Sequence, residues 1–204
     1  MTFKYRKLYE IKKEVEDFRD LYWQKRQFPV KIETIIERKL NIEIIPIEGL
    51  KNLDIDAFLT SDMKSICVDE KQYMDDRFSK RLLFSLAHEV GHFILHKVYW
   101  KELRIDTLTD YKNLIETSDS EHWRILEAEA NKFAGNLLVP DYELKIKTGE
   151  AAQIIIAKSS RNFLEDNGEL ATIKSTPFFE THFGVSEQVI LRRLKDENLF
   201  PLVP

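Results

Sequence analysis

The chain has 204 residues and a net charge of −4, from 31 Lys and Arg against 35 Asp and Glu. That slight acidic excess excludes a general nucleic-acid coat, which needs surplus cations to displace counterions. Hydrophobic residues make up 43% of the chain, including 13 Phe and 3 Trp, so there is material for a core, and 6 Gly with 6 Pro exclude collagen-like or linker-dominated architecture. The single Cys67 can form no internal disulfide, which fits a reducing cytosol. No stretch approaches the roughly 20 apolar residues of a membrane span. The N-terminal MTFKYRKLYEIKKEVEDF lacks the apolar run of a signal peptide. The expectation is a cytoplasmic protein of one domain over residues 1–204. Residues 1–140 would carry the N-terminal helices, a small sheet and the site helices, and 141–204 a C-terminal helical lobe.

Leu8, Ile11, Val15, Phe18 and Tyr22 recur at spacings of three and four, which predicts an amphipathic helix over about residues 4–26. Pro29 interrupts it, and Ile32, Ile35, Ile36 and Leu40 predict a short second helix ending near Asn41. Residues 41–47 alternate with period two and read as a strand; 55–59 and 65–69 read as two more, joined by a turn at Thr60-Ser61-Asp62-Met63. Asp75 or Asp76 can N-cap a helix running to about Lys97, with Phe78, Leu82, Leu86, Val90, Phe93 and Ile94 on its buried side. Val98 to Glu121 is irregular and polar, an excursion or lid outside the core. Glu121 to Leu138 is helical again, stopped by Pro140, and Lys145–Asp166 is helical with an interruption around Gly149. Thr176-Pro177 suits an N-cap and first turn, opening a helix-turn-helix-like ending through Gly184-Val185-Ser186 and Val189, Ile190 and Leu194. In that ending Arg192, Arg193 and Lys195 are balanced by Glu187, Asp196 and Glu197, so it is expected to pack or dock rather than bind DNA directly.

The chemistry lies in His88-Glu89-Val90-Gly91-His92, the HExxH pattern. Residues four apart on a helix share a face about one turn apart. Two imidazoles so placed can both reach a Zn²⁺ ion at about 2.0–2.1 Å. Glu89, beside the first histidine, can hold the reacting water and accept its proton. A catalytic zinc site needs a third protein ligand and an open position. His96 fails as that ligand, because eight residues from His88 is about 12 Å along a helix axis; it reads as a helix-end or rim residue. Glu127 and Asn131, four apart on the next helix, share a face: one can bind the metal while the other hydrogen-bonds the non-metal nitrogen of a ligand histidine. Ala128, Ala130, Ala134 and Gly135 would let that helix pack close against the motif helix. Glu129 points about 200° away from Glu127 and reads as a solvent-facing carboxylate. His122, His182, Tyr99 and Tyr111 are all open as oxyanion donors, and Cys67 reads as simply buried.

Phe84-Ser-Leu-Ala-His-Glu-Val-Gly-His-Phe-Ile-Leu-His96, followed by Glu127-Ala-Glu-Ala-Asn-Lys-Phe-Ala-Gly-Asn-Leu-Leu-Val-Pro140, resembles the ImmA/IrrE family of metallopeptidases. Phe28-Pro-Val, Ile55-Asp-Ala-Phe-Leu and the stretch Phe183–Leu194 extend the resemblance more faintly. It implies an α+β fold with a thermolysin-like zincin core: a small mixed sheet packed on the HExxH helix, with a C-terminal helical lobe. It also implies Zn²⁺ as cofactor, His88, His92 and Glu127 as ligands, Glu89 as general base and Asn131 behind a ligand. One strand would lie along the cleft and hold substrate backbone by strand addition. Family members typically cleave a partner helix-turn-helix repressor and so switch genes on. The competing readings are a non-catalytic regulator with a relic zinc site and a toxin-type metallohydrolase.

Overall fold

A computed structural model describes residues 5–117 and 120–203. The chain divides into two compact units: residues up to Arg26 with Lys31–Leu137, and Gln27–Val30 with the residues from Leu138 on.

In the first unit, α1 (Leu8–Tyr22) buries Ile11, Val15 and Phe18, the predicted stripe, and its buried Arg19 donates to the carbonyls of Asn136 and Leu137. The helix is shorter than predicted at both ends, because Leu8 is exposed and Trp23 already leaves the helical conformation. Helix α2 (Ile32–Ile35) runs on into a π-helical turn over Ile36–Leu40, which Asn41 closes in the left-handed region at φ 56°. Strand β1 (Glu43–Ile47), a 3₁₀ turn (Leu50–Leu53), β2 (Ala57–Leu59) and β3 (Ser65–Asp69) follow. The sheet is mixed, in the order β1-β3-β2: β1 runs parallel to β3 with Ile44 opposite Ile66, and β2 antiparallel with Phe58 opposite Cys67. Ile66, Cys67 and Val68 on the central strand are all buried.

Asp69 caps α3 (Glu70–Met74), its carboxylate accepting from the Gln72 amide at 3.0 Å. Asp75 caps only a 3₁₀ turn over Asp76–Phe78; the long helix α4 (Ser79–Leu95) starts after it. Leu82, Leu86, Val90 and Leu95 form its buried side, whereas Phe78, Phe93 and Ile94 are only half-buried. The expected excursion is instead partly helical, as α5 (Lys97–Trp100) and α6 (Leu108–Thr117), and it contributes to the core. Trp100 and Ile105 are fully buried and Tyr111 nearly so, with Ile105 tied to Ser61 by hydrogen bonds of 2.6 and 2.8 Å. Their uneven spacing hid them from any search for period, and Ser118 and Asp119 of that stretch lie outside the described residues. Helix α7 (Ser120–Leu138) completes this unit up to Leu137.

The second unit holds α8 (Asp141–Lys158), α9 (Arg161–Asp166), α10 (Gly168–Phe183) and α11 (Glu187–Asp196). Two expectations fail here. Helix α8 runs straight through Gly149, and the break falls at Ser159 with Ser160 capping α9 through the Phe163 amide. Thr176-Pro177 lies inside α10 rather than at its start. Pro177 cannot donate to the Ile173 carbonyl, and the Thr176 hydroxyl donates to that carbonyl instead at 2.8 Å. The helix ends at Gly184, in the left-handed region at φ 71°. Arg193 of α11 is buried, donating to the Val139 carbonyl and to the carboxylates of Asp141 and Glu197, so it is not a surface cation. No described helix is long and apolar enough to cross a membrane.

Candidate metal centre

Helices α4 and α7 meet at Gly91. A Cβ added there would lie 3.1 Å from the Ala130 Cα and 3.3 Å from the Phe133 Cβ, so the backbones approach more closely than two side-chain-bearing positions allow. The approach brings the motif face of α4 against Glu127 and Asn131. His88 Nε2 and His92 Nε2 lie 2.9 Å apart, and each is 3.2 Å from one oxygen of the Glu127 carboxylate. His88, His92 and Glu127 are the group of metal-ligand residues that the described residues bring together, with ligand atoms all within 4.8 Å. Asn131 stands where the alternatives left it free to stand: its Oδ1 is 3.2 Å from His88 Nδ1, the nitrogen turned away from the cluster.

These donors fit a cation. Two ring nitrogens 2.9 Å apart cannot both carry protons towards each other, and the buried Glu127 Oε1 has no hydrogen-bond partner. Two imidazole nitrogens and a carboxylate match a catalytic zinc donor set. Without a metal, one proton settles the cluster. Burial pulls the His88 imidazole down, but Glu127, with Glu89 and Asn131, outweighs it and leaves His88 at about 9. Burial holds His92 down at about 3, against Glu127, with the charges of His88 and His96 adding to the depression. Burial would raise Glu127, but the two imidazoles outweigh it and keep its carboxyl well below the usual range.

Glu89 stays out of the donor set. It is 3% exposed, and its Oε2 accepts from the Leu59 amide at 2.9 Å. Burial pushes its carboxyl up to about 7, with His88 and the Leu59 amide pulling against and the Glu127 charge adding. A cleft of about 250 Å³ opens here between Glu89, His88, Glu127, Asn131, Tyr111 and the chain at Asp54–Ala57. Antiparallel pairing alternates inward and outward backbone groups. Phe58 faces β3 while Ala57 and Leu59 face out. The outward groups of Leu59 are taken by Glu89 and by the Trp100 indole at 2.9 Å, which leaves Ala57 as the open edge of β2 at the cleft.

Several residues around the centre depart from what the sequence predicts. His96 is not on a rim, being 3% exposed with Nδ1 3.0 Å from His92 Nδ1. Glu129 is not solvent-facing; it is 1% exposed and 3.2 Å from His96 Nε2. The 200° between Glu127 and Glu129 is real, but the far side of α7 faces the end of α4 and Arg6 rather than water. Trp100 packs against His92, with ring centroids 4.0 Å apart and the planes tilted by 33°. Of the four oxyanion candidates, Tyr111 lines the cleft, and burial together with Glu89 and Glu127 holds its hydroxyl proton well above the ordinary value. His182 lies in the second unit, paired with Glu143 at 2.7 Å. Cys67 is buried, and burial, with the Glu89 charge adding, pushes its thiol up to about 11, so it is inert.

No curated protein matches the chain. The family model for the IrrE N-terminal-like domain, peptidase M78, matches residues 40–195. Both helices of the centre and the sheet beside them fall inside that span, which takes in most of the chain, so the protein belongs to the ImmA/IrrE family of metallopeptidases.

Proposed function

We propose that the protein is a zinc-dependent endopeptidase with a thermolysin-like core, acting in the cytoplasm on a helix-turn-helix transcriptional repressor and thereby relieving repression. The observation that carries this reading is the convergence of His88 Nε2, His92 Nε2 and the Glu127 carboxylate, with Glu89 beside them but outside the donor set. His88, His92 and Glu127 would hold the ion. When bound, Zn²⁺ supplies Lewis acidity to the scissile carbonyl and lowers the pKa of a water towards about 7.

The chain's own groups do the rest. Glu89, its carboxylate oriented by the Leu59 amide, accepts a proton from the attacking water as the C–O bond forms. It returns that proton to the leaving nitrogen as the C–N bond breaks. Tyr111 keeps its hydroxyl proton and is the donor available to the developing oxyanion from the cleft wall. The free edge at Ala57 takes substrate backbone by strand addition over a short span, because Leu59 is already engaged.

The test is purified protein with its metal counted, assayed on any helix-turn-helix repressor found encoded beside its gene. Glu89→Gln should keep the metal and lose about 10²- to 10⁴-fold in kcat; Tyr111→Phe should lose about 10²- to 10³-fold. Cutting by Glu89→Gln at the wild-type rate would sink the mechanism. Stoichiometric capture of the repressor with no cleavage product would make the protein a regulator that acts by binding.

A further inference from the structure

Behind His92, on the side away from the cleft, a chain of polar contacts runs from the start of the described chain to the metal centre. The Arg6 amide donates to Glu129 Oε1 at 2.7 Å, and Arg6 Nη1 to Glu129 Oε2 at 3.0 Å. Glu129 Oε2 is 3.2 Å from His96 Nε2, and His96 Nδ1 is 3.0 Å from His92 Nδ1. Arg6 Nη2 also donates to the carbonyl of Leu95, the last residue of the motif helix. Glu129 and His96 have side chains 1% exposed, whereas Arg6 is 28% exposed.

We propose that Arg6, Glu129 and His96 form a positioning relay that holds His92 in the one tautomer whose Nε2 is free to bind a metal ion. The inference rests on the metal-centre reading above. It follows from the direction that each contact must take. Arginine and the backbone amide only donate, so the Glu129 carboxylate facing them is an acceptor, with lone pairs to spare, and His96 Nε2 must be the donor to it. A neutral His96 with its proton on Nε2 has a lone pair on Nδ1. That lone pair can only accept, so the proton between the two rings belongs to His92 Nδ1. His92 Nε2 is then left bare, 2.9 Å from His88 Nε2 and 3.2 Å from Glu127. Without Glu129, His96 could equally place its proton on Nδ1 and drive the His92 proton onto Nε2, where a metal must go. A plain packing role needs no directed ring-to-ring contact, and a buried carboxylate is a costly way to fill space. Arg6 supplies the compensating charge and, through Leu95, fixes the end of α4 from which His96 projects.

The experiment uses the full chain and measures Zn²⁺ affinity by chelator competition, the Co²⁺ absorption spectrum, and the melting temperature of the metal-free protein. His96→Leu should weaken Zn²⁺ binding about 10- to 100-fold and alter the Co²⁺ bands. His96→Gln, whose carbonyl oxygen can accept from His92 Nδ1, should recover most of the loss. Arg6→Met, at a side chain that is 28% exposed, should weaken binding about three- to tenfold, and it stands as the test if His96→Leu does not fold. Affinity within about threefold of wild type in a folded His96→Leu, or in Arg6→Met, with the Co²⁺ spectrum unmoved, overturns the relay alone. A wild-type protein that takes up no metal overturns the peptidase reading together with it.

Discussion

His88 and His92 are one helical turn apart in the same motif, yet their surroundings are opposite. The His88 side chain is 13% exposed at the cleft, and its outer nitrogen meets an amide, Asn131. His92 is 1% exposed, packed against Trp100, and its outer nitrogen meets another imidazole tied to a carboxylate. In the function proposed above, the cleft side of the centre is where groups exchange protons and admit substrate. The buried side has no such duty, so its polar groups can be spent on orientation. A metal site of this kind has a working face and a holding face, and the same residue type does different work on each.

The comparison breaks first on pH. His88 at about 9 without metal lies above the ordinary histidine value of 6.5, so its proton stabilises the metal-free form fully below 6.5 and loses that effect as pH rises through about 9. The metal competes with that proton. Apparent Zn²⁺ affinity should therefore fall about tenfold per pH unit below about 9, roughly 100-fold by pH 7, with one proton released per ion. Calorimetry in buffers of different ionisation enthalpy measures that release, and none at pH 7 would contradict the cluster described for the working face. The second effect is smaller. Asn131→Ala should cost about tenfold in metal affinity, less than His96→Leu, because water can replace an amide at a partly open site and cannot reach behind His92. An equal or greater loss for Asn131→Ala would reverse the ranking of the two faces.

The smallest effect is at the contact that both faces share. Gly91→Ala forces a Cβ against Ala130 and Phe133. Overpacking of this kind costs about 1–3 kcal/mol, partly offset by the roughly 1 kcal/mol that alanine gains over glycine in a helix. A net loss of about 1 kcal/mol, read by denaturant unfolding, should be joined by weaker metal binding as α7 moves off α4. Stability raised by the alanine would mean the helices are not in close contact there.

The ligands were legible because their signal is local. His88 and His92 are four apart on one strongly apolar helix, and Glu127 and Asn131 are four apart on another, so each pair could be placed on a face from periodicity alone. Which member of the second pair faces the two histidines cannot be read that way. It depends on how α7 is rotated against α4, and that rotation is set by the contact of Gly91 with Ala130. His96 and Glu129 were misread for a related reason. Glu129 lies off the Glu127 face of α7 and His96 lies just past the end of α4, too far along the axis from His88, and the sequence records no partner for either. The partners are Arg6, more than a hundred residues away, and each other. The burial of Trp100 and Ile105 is not legible in the sequence, because short and irregular segments bury side chains without a period to betray them.

Pro177 shows the converse. A proline after a threonine reads as the start of a helix, yet here the threonine hydroxyl fills the carbonyl that the proline leaves unpaired and the helix continues. Local rules describe what a segment prefers, and a single compensating hydrogen bond is enough to override them. By itself the sequence determined the three strands, the two site helices, the four-residue spacing of the clustered histidines and the presence of a carboxylate beside them, since all of these follow from backbone geometry within one element. The tertiary structure alone decided that Glu127 turns to the Nε2 atoms of His88 and His92 and Asn131 to the other nitrogen of His88, that Tyr111 and Ala57 wall the cleft, and that Arg6 reaches Glu129 behind His92. Those relations join elements far apart in the chain, and they depend on packing distances and helix rotations that no spacing along one element encodes.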